Sequence, residues 1–255
     1  MSPREVFLRP LVKQVAFEVR YPNLFFIEGR IGDFQVKVMK DFPKSDLVLR
    51  RNLMVVGGSP NNIEELVKQQ QADSVDRIWQ FTSPSGTKLQ ISGTSLLLSS
   101  ENHRSYHHGE AESFRAVINR AVGYFFDMVG IPVVLRVGLR YINECPIFER
   151  STRIFNECYN SILPLNRYGL EHAVNMDCAV VVNKEQSQFR HLESLKSGQG
   201  EARLILDLDA WTENVPSENV MASADTLHGI ISDEFWNTVK EPILDFMRRP
   251  KGEDR

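Results

Sequence analysis

The chain has 255 residues, of which 42% are hydrophobic and 25% charged, and its formal net charge is −3. A chain this long buries roughly 70–75% of the surface its unfolded form exposes, so it needs neither a disulfide framework nor a structural metal to fold. The slight negative charge offers no global attraction for nucleic acid or an anionic membrane, and three cysteines without C-x-x-C spacing (Cys145, Cys158, Cys178) fit reduced, buried thiols better than paired ones.

Near the amino terminus, Val6-Phe7-Leu8 is too short for a signal h-region. The most apolar window, Ala121 to Leu139, is broken by Asp127, Pro132 and Arg136. A cytoplasmic protein without a membrane span is therefore expected. From Lys13 to Tyr21 the residues Val15, Phe17 and Val19 alternate with polar neighbours, the period of a half-buried strand. Pro22 stops it, Asn23 is placed to cap a helix, and Leu24, Ile27, Ile31, Phe34 and Val38 then recur at helical spacing. Two short apolar runs follow, Leu47-Val48-Leu49 and Met54-Val55-Val56. The stretch from Asn61 to Asp76, with Gln69-Gln70-Gln71, reads as a solvated connection or short surface helix.

A meander is expected next: a strand over Ile78–Thr82, a turn at Ser83-Pro84-Ser85-Gly86, then strands over Lys88–Ile91 and Leu96–Leu98. The clearest helix spans about Glu110 to Met128, with Phe114, Val117, Ile118, Ala121, Phe125 and Met128 as its buried stripe and Gly130 at its C-cap. The strongest strand runs from Val133 to Asn143. Its alternation puts Val133, Leu135, Val137, Leu139 and Tyr141 on one face and Val134, Arg136, Gly138, Arg140 and Ile142 on the other. Beyond it come a short helix over Phe155–Leu163, a strand over Ala173–Asn183, a polar loop over Lys184–Gly200 and a strand over Ala202–Trp211. A loop over Thr212–Asn219 then leads to a long helix from Ala222 to Met247, capped by Ser223 and kinked or divided at Pro242.

This pattern predicts an α+β fold, antiparallel sheets covered by helices, in two similar halves (tandem ferredoxin-like or related). The halves fall at 1–150 and 151–255, or form one continuous domain.

Three segments are distinctive together: Trp79-Gln80-Phe81-Thr82-Ser83-Pro84-Ser85-Gly86, Leu135 through Asn143, and Leu206-Asp207-Leu208-Asp209. With Phe17-Glu18-Val19-Arg20-Tyr21 they resemble an uncharacterised, sporadically distributed bacterial protein family of about this length. The resemblance implies no cofactor and no catalytic residue. Its patchy distribution is of the kind seen in mobile genes, including defence and toxin–antitoxin modules.

Walker, nucleophile-elbow, H-E-x-x-H and dinucleotide signatures are absent from the sequence. Arg136 and Arg140 share a strand face beside Gly138, whose missing side chain leaves room for a ligand or another backbone. Asp207 and Asp209 share a face of a second strand. If both strands face one cavity, these four residues form a charged ligand-binding pocket; otherwise they line solvated sheet faces. His103 and His107 are a weaker candidate, a metal-ligand spacing that requires a helix there. The reading that follows is a non-catalytic protein that binds another protein, or a second copy of itself. The alternative is an enzyme or sensor that holds a phosphate-containing ligand in the charged β pocket. Nucleic acid is disfavoured by the net charge and the lack of a basic aromatic platform.

Overall fold

The computed structural model describes residues 5–51, 75–108, 112–198 and 201–250. In chain order the elements are β1 (Val12–Arg20), α1 (Ile27–Val38), β2 (Lys44–Arg51), β3 (Val75–Thr82), β4 (Lys88–Ile91), β5 (Ser95–Ser100), α2 (Phe114–Phe126) and β6 (Val133–Pro146). There follow α3 (Thr152–Cys158), α4 (Leu165–Tyr168), β7 (Asn175–Lys184), β8 (Ser187–Gly198), β9 (Glu201–Pro216), a 3₁₀ turn (Ser217–Asn219), α5 (Val220–Thr238) and α6 (Glu241–Arg248). Among the described residues none of these helices is long and apolar enough to cross a membrane.

The strands form one nine-stranded sheet in the order β2-β3-β4-β5-β1-β6-β9-β8-β7, with every neighbouring pair antiparallel. The α+β expectation therefore holds, but as a single large sheet. A ferredoxin-like half runs β-α-β-β-α-β. Here β3-β4-β5 and β7-β8-β9 are uninterrupted meanders, which does not match that form.

The two-residue period of the strands decides which side is covered. Val15, Phe17 and Val19 of β1, Leu96 and Leu98 of β5, Val137, Leu139 and Tyr141 of β6, and Leu204, Leu206, Leu208 and Ala210 of β9 are buried in one continuous core. The helical stripe of α2 (Phe114, Val117, Ile118, Ala121, Phe125) enters the same core, and α5 lies on β6 and β9 with Val220, Ala224, Leu227 and Ile231 inward. Alternate residues of the same strands, including Glu18, Arg136, Arg140, Asp207 and Asp209, point to the opposite side, which carries no helix among the described residues.

Several local expectations change. The helix expected from Asn23 starts at Ile27, and Asn23 packs instead against the turn at Gly93, where an added Cβ would lie 2.9 Å from its Oδ1. Leu47 and Leu49 belong to the edge strand β2 and are 56% and 59% exposed. Met54-Val55-Val56 and the stretch from Asn61 up to β3 lie outside the described residues. The turn at 83–86 forms as expected, with Gly86 donating to the Ser83 carbonyl at φ 84°.

α2 is capped by the Ser113 hydroxyl and ends at Phe126, before Gly130. In β6 the alternation fails at the start: Val133 and Leu135 are exposed and Val134 is buried. The partner strand is distorted there, with Asn214 at φ 54°. The helix expected over Phe155–Leu163 spans Thr152–Cys158 instead.

The polar loop expected over Lys184–Gly200 is largely the strand β8. Its inward row is Phe189, His191, Glu193 and Leu195; two polar members hide the apolar alternation while the geometry of a strand is kept. β9 likewise runs on to Pro216 through the expected loop. Pro242 divides the long carboxy-terminal helix, sitting in the first turn of α6 where its missing N–H costs nothing, and the cap of α5 is Asn219 rather than Ser223.

Candidate functional site

The charged part of the uncovered face is built from four adjacent strands, β1, β6, β9 and β8. In the β1–β6 register Glu18 stands opposite Gly138 and Arg20 opposite Arg136. In the β6–β9 register Arg140 stands opposite Asp209 and Ile142 opposite Asp207, and Arg190 of β8 is also opposite Asp209. The four residues singled out from sequence thus share one surface, a single face of the sheet.

Long side chains reach diagonally across an antiparallel ladder, and here they converge on Asp207. Arg140 donates to it through Nε (2.7 Å) and Nη2 (2.6 Å), the bidentate fork of a guanidinium on a carboxylate, and Arg190 adds a third bond at 2.9 Å. The two arginines cover the Asp207 side chain to 4% exposure while remaining 43% and 32% exposed themselves. The hydrogen bond to Asp207 raises the Arg140 pKa. The Nε of Arg190 has no hydrogen-bond partner among the described residues.

Arg136 donates to Glu18 at 2.5 Å, lies 3.8 Å from Asp209 and stacks 5.0 Å from the Trp211 ring centre. Glu18 also accepts from Arg20 at 2.9 Å. The space that Gly138 leaves is occupied by the Arg136 guanidinium, 3.4 Å from where a Cβ would sit, and is not an opening for a ligand. Asp209 has the weakest partner. Burial raises its carboxyl above the ordinary carboxylate value, outweighing the pull of Arg136, Arg190 and Arg140.

Sequence reasoning placed Arg136, Arg140, Asp207 and Asp209 but missed Glu18, Arg190 and Trp211 as members of the same surface. Glu18 lay in a correctly expected strand, and only the β1–β6 register reveals its role. Arg190 was hidden by the unrecognised strand β8.

His103 and His107 fall in a non-helical segment and do not share a face. His103 Nδ1 is 2.8 Å from the Ser100 hydroxyl, its ring packs on Phe114, and burial lowers its pKa. His107 stands edge-on to Tyr106 and His228. Among the described residues no group of three or more His, Cys, Asp or Glu is placed to hold a metal ion.

On the helix side, Glu193 is fully buried yet served by His191 (2.9 Å), the Ile162 N–H (3.2 Å) and the Ser161 hydroxyl, as a buried carboxylate requires. It pins the 161–162 segment to β8. Tyr141 is buried as expected, but its hydroxyl has no hydrogen-bond partner among the described residues, and burial pushes its pKa up. Burial, with Glu193 and Glu144 nearby, likewise raises the Cys145 thiol, the opposite of an activated nucleophile.

A cleft of about 2300 Å³ lies away from this face and contains none of its charged residues apart from the sheet-end pair Glu144 and Arg203. Four of its cations are internally committed: Arg203 and Lys13 to Glu144 (2.6 and 3.7 Å), Arg120 to Glu112 and Asp41, and Arg104 to the Val12 and Lys13 carbonyls. The charged face is preferred over the cleft because it gathers the segments that stand out in the sequence.

No family model and no curated protein matches the chain. The resemblance drawn above rests on its motifs alone. Three of those motifs are β1, β6 and β9, the strands that carry the charged face.

Proposed function

We propose that this is a non-catalytic partner-binding protein that receives another protein on the uncovered face of its sheet. The observation that carries the reading is the extent and make-up of that face. Nine strands about 4.8 Å apart and 4 to 16 residues long give on the order of 1,000 Å². A standard interface takes about 800 Å² from each partner. Leu97, Ile142, Leu192 and Trp211 supply partly exposed apolar surface among the arginines, and tryptophan and arginine are the types that most often dominate binding energy.

The order of strands supports a duplicated architecture. Read outward from the central pair, the first half runs β1, β5, β4, β3 and the second β6, β9, β8, β7, with a helix after the first and after the last strand of each. A repeated β-α-β-β-β-α unit, extended in the first half by β2, accounts for a wide face with the described helices behind it.

A phosphate-containing ligand in the same place is disfavoured. It would have to displace Asp207 from two guanidiniums and Glu18 from a third.

The test places a photoreactive amino acid at Gln188 or Leu97 on the open face, or at Val36, exposed on α1, in the cell of origin. Adducts to one polypeptide from the first two sites and none from Val36 are expected. Adducts only from Val36, or stabilisation of the purified protein by orthophosphate or nucleoside triphosphates, would reject the proposal.

A further inference from the structure

The two ends of the sheet are built differently. β2 carries Lys44, Asp46, Arg50 and Arg51 in eight residues, the charges that keep an edge strand from pairing. β7, at the other end, reads Asn-Met-Asp-Cys-Ala-Val-Val-Val-Asn-Lys, with charge only at Asp177 and Lys184. Lys184 is held by Glu234 of α5 at 2.6 Å. Between them Val180, Val181 and Val182 are 42%, 58% and 38% exposed, so the middle of the strand is open on both faces, and its outer edge pairs with no strand among the described residues.

We infer that β7 is a self-complementary edge through which two copies of the chain pair, antiparallel, about a two-fold axis normal to the sheet. Such an axis keeps every residue on its own face, and residues opposite one another in an antiparallel pair share a face. The numbers of paired residues must therefore sum to an even value. A sum of 362 sets Asp177 against Glu185 of the other copy, two like charges. A sum of 358 sets Asp177 against Val181. A sum of 360 puts Val180 against its own copy on the axis, Ala179 against Val181, Cys178 against Val182, and Asp177 against Asn183, whose amide donates to a carboxylate.

In that register the apolar centre is matched with itself and no like charges meet. The pairing is isologous and therefore closes as a dimer, and among the described residues the other end of the sheet is the charged β2. A ten-residue strand gives a contact about 34 Å long. That is small for a stable dimer, so dissociation on the order of tens of micromolar is expected. The inference uses the edge of the sheet, so it stands or falls separately from binding on the open face. If both hold, the two faces join into one continuous surface.

Sedimentation velocity of the full chain over a range reaching several hundred micromolar is the first measurement. A monomer–dimer equilibrium is expected, weakened at least tenfold in Val180→Asp, which sets two carboxylates side by side on the axis. A second measurement fixes the register. In a Cys178→Ser background, Val180→Cys should oxidise to a symmetric disulfide dimer, since opposed residues lie within disulfide reach. Asn183→Cys should not, since the two copies of that residue lie about 20 Å apart. A wild-type chain monomeric throughout, an unaltered dimer in Val180→Asp, or cross-linking through Asn183→Cys would overturn the inference.

Discussion

Asp207 and Asp209 sit two residues apart on one strand face and look equivalent in sequence, yet the structure assigns them opposite energetics. Asp207 accepts three charge-assisted bonds from Arg140 and Arg190. Replacing it with asparagine puts an amide N–H₂ against a guanidinium and leaves two cations without their anion. Removing one partner of a fully buried ion pair costs about 3–5 kcal/mol. Because Arg140 and Arg190 are 43% and 32% exposed, solvent screening reduces this to about 2–3 kcal/mol for Asp207→Asn. Asp209 is held above the ordinary carboxylate value chiefly by burial. A raised carboxyl favours the protonated form in the folded state, so ionisation at neutral pH works against folding. Asp209→Asn should therefore leave stability unchanged or increase it at pH 7, and lose that advantage as the pH falls and Asp209 itself takes a proton. Urea unfolding of both variants at pH 7 and near pH 4 supplies the comparison. Equal losses from the two substitutions at pH 7 would refute the assignment.

Other consequences are as direct. Leu139→Ala, on a central strand with no exposed surface, should cost about 3–5 kcal/mol in the same unfolding assay. Tyr141→Phe removes a buried hydroxyl that has no hydrogen-bond partner among the described residues and should leave stability unchanged or raise it by up to about 1 kcal/mol. Asp225→Ala cuts the two Arg115 bonds (2.7 Å each) and the Tyr106 bond (3.0 Å) that tie residues 106 and 115 to α5. It should cost about 1–2 kcal/mol and speed proteolysis near residues 103–108. Burial lowers the His103 pKa in the folded chain, so between that lowered value and the usual 6.5 the unfolded chain binds the extra proton. Stability at this site is complete above about pH 6.5 and is lost as pH falls below it. In His103→Gln the dependence over that window should be shallower.

The elements read correctly from sequence are those whose inward row is wholly apolar. Phe17 in β1, Phe114 in α2 and Leu206 in β9 each sit in an unbroken stripe. β8 escaped notice because His191 and Glu193 face the core, tolerated there by their bond to each other and by Ser161 and Ile162 from a distant segment. Pairing is the other blind spot. Periodicity put Arg140 and Asp207 on the polar sides of two strands. That those strands adjoin, and that Arg140 reaches past Asp209 to Asp207, follows from a register no local pattern encodes. The gap at Gly138 was legible, but its occupant, Arg136 from two residues away on the same strand, was not.

Hydroxyl-radical footprinting of Trp211, Leu97 and Ile142 bears most directly on the claim that the bare side of the sheet is where another protein docks. Ready oxidation of all three in the purified chain, and their protection in cells of origin while Val36 stays reactive, is the predicted result. Resistance in the purified chain, or equal reactivity in both settings, would contradict it.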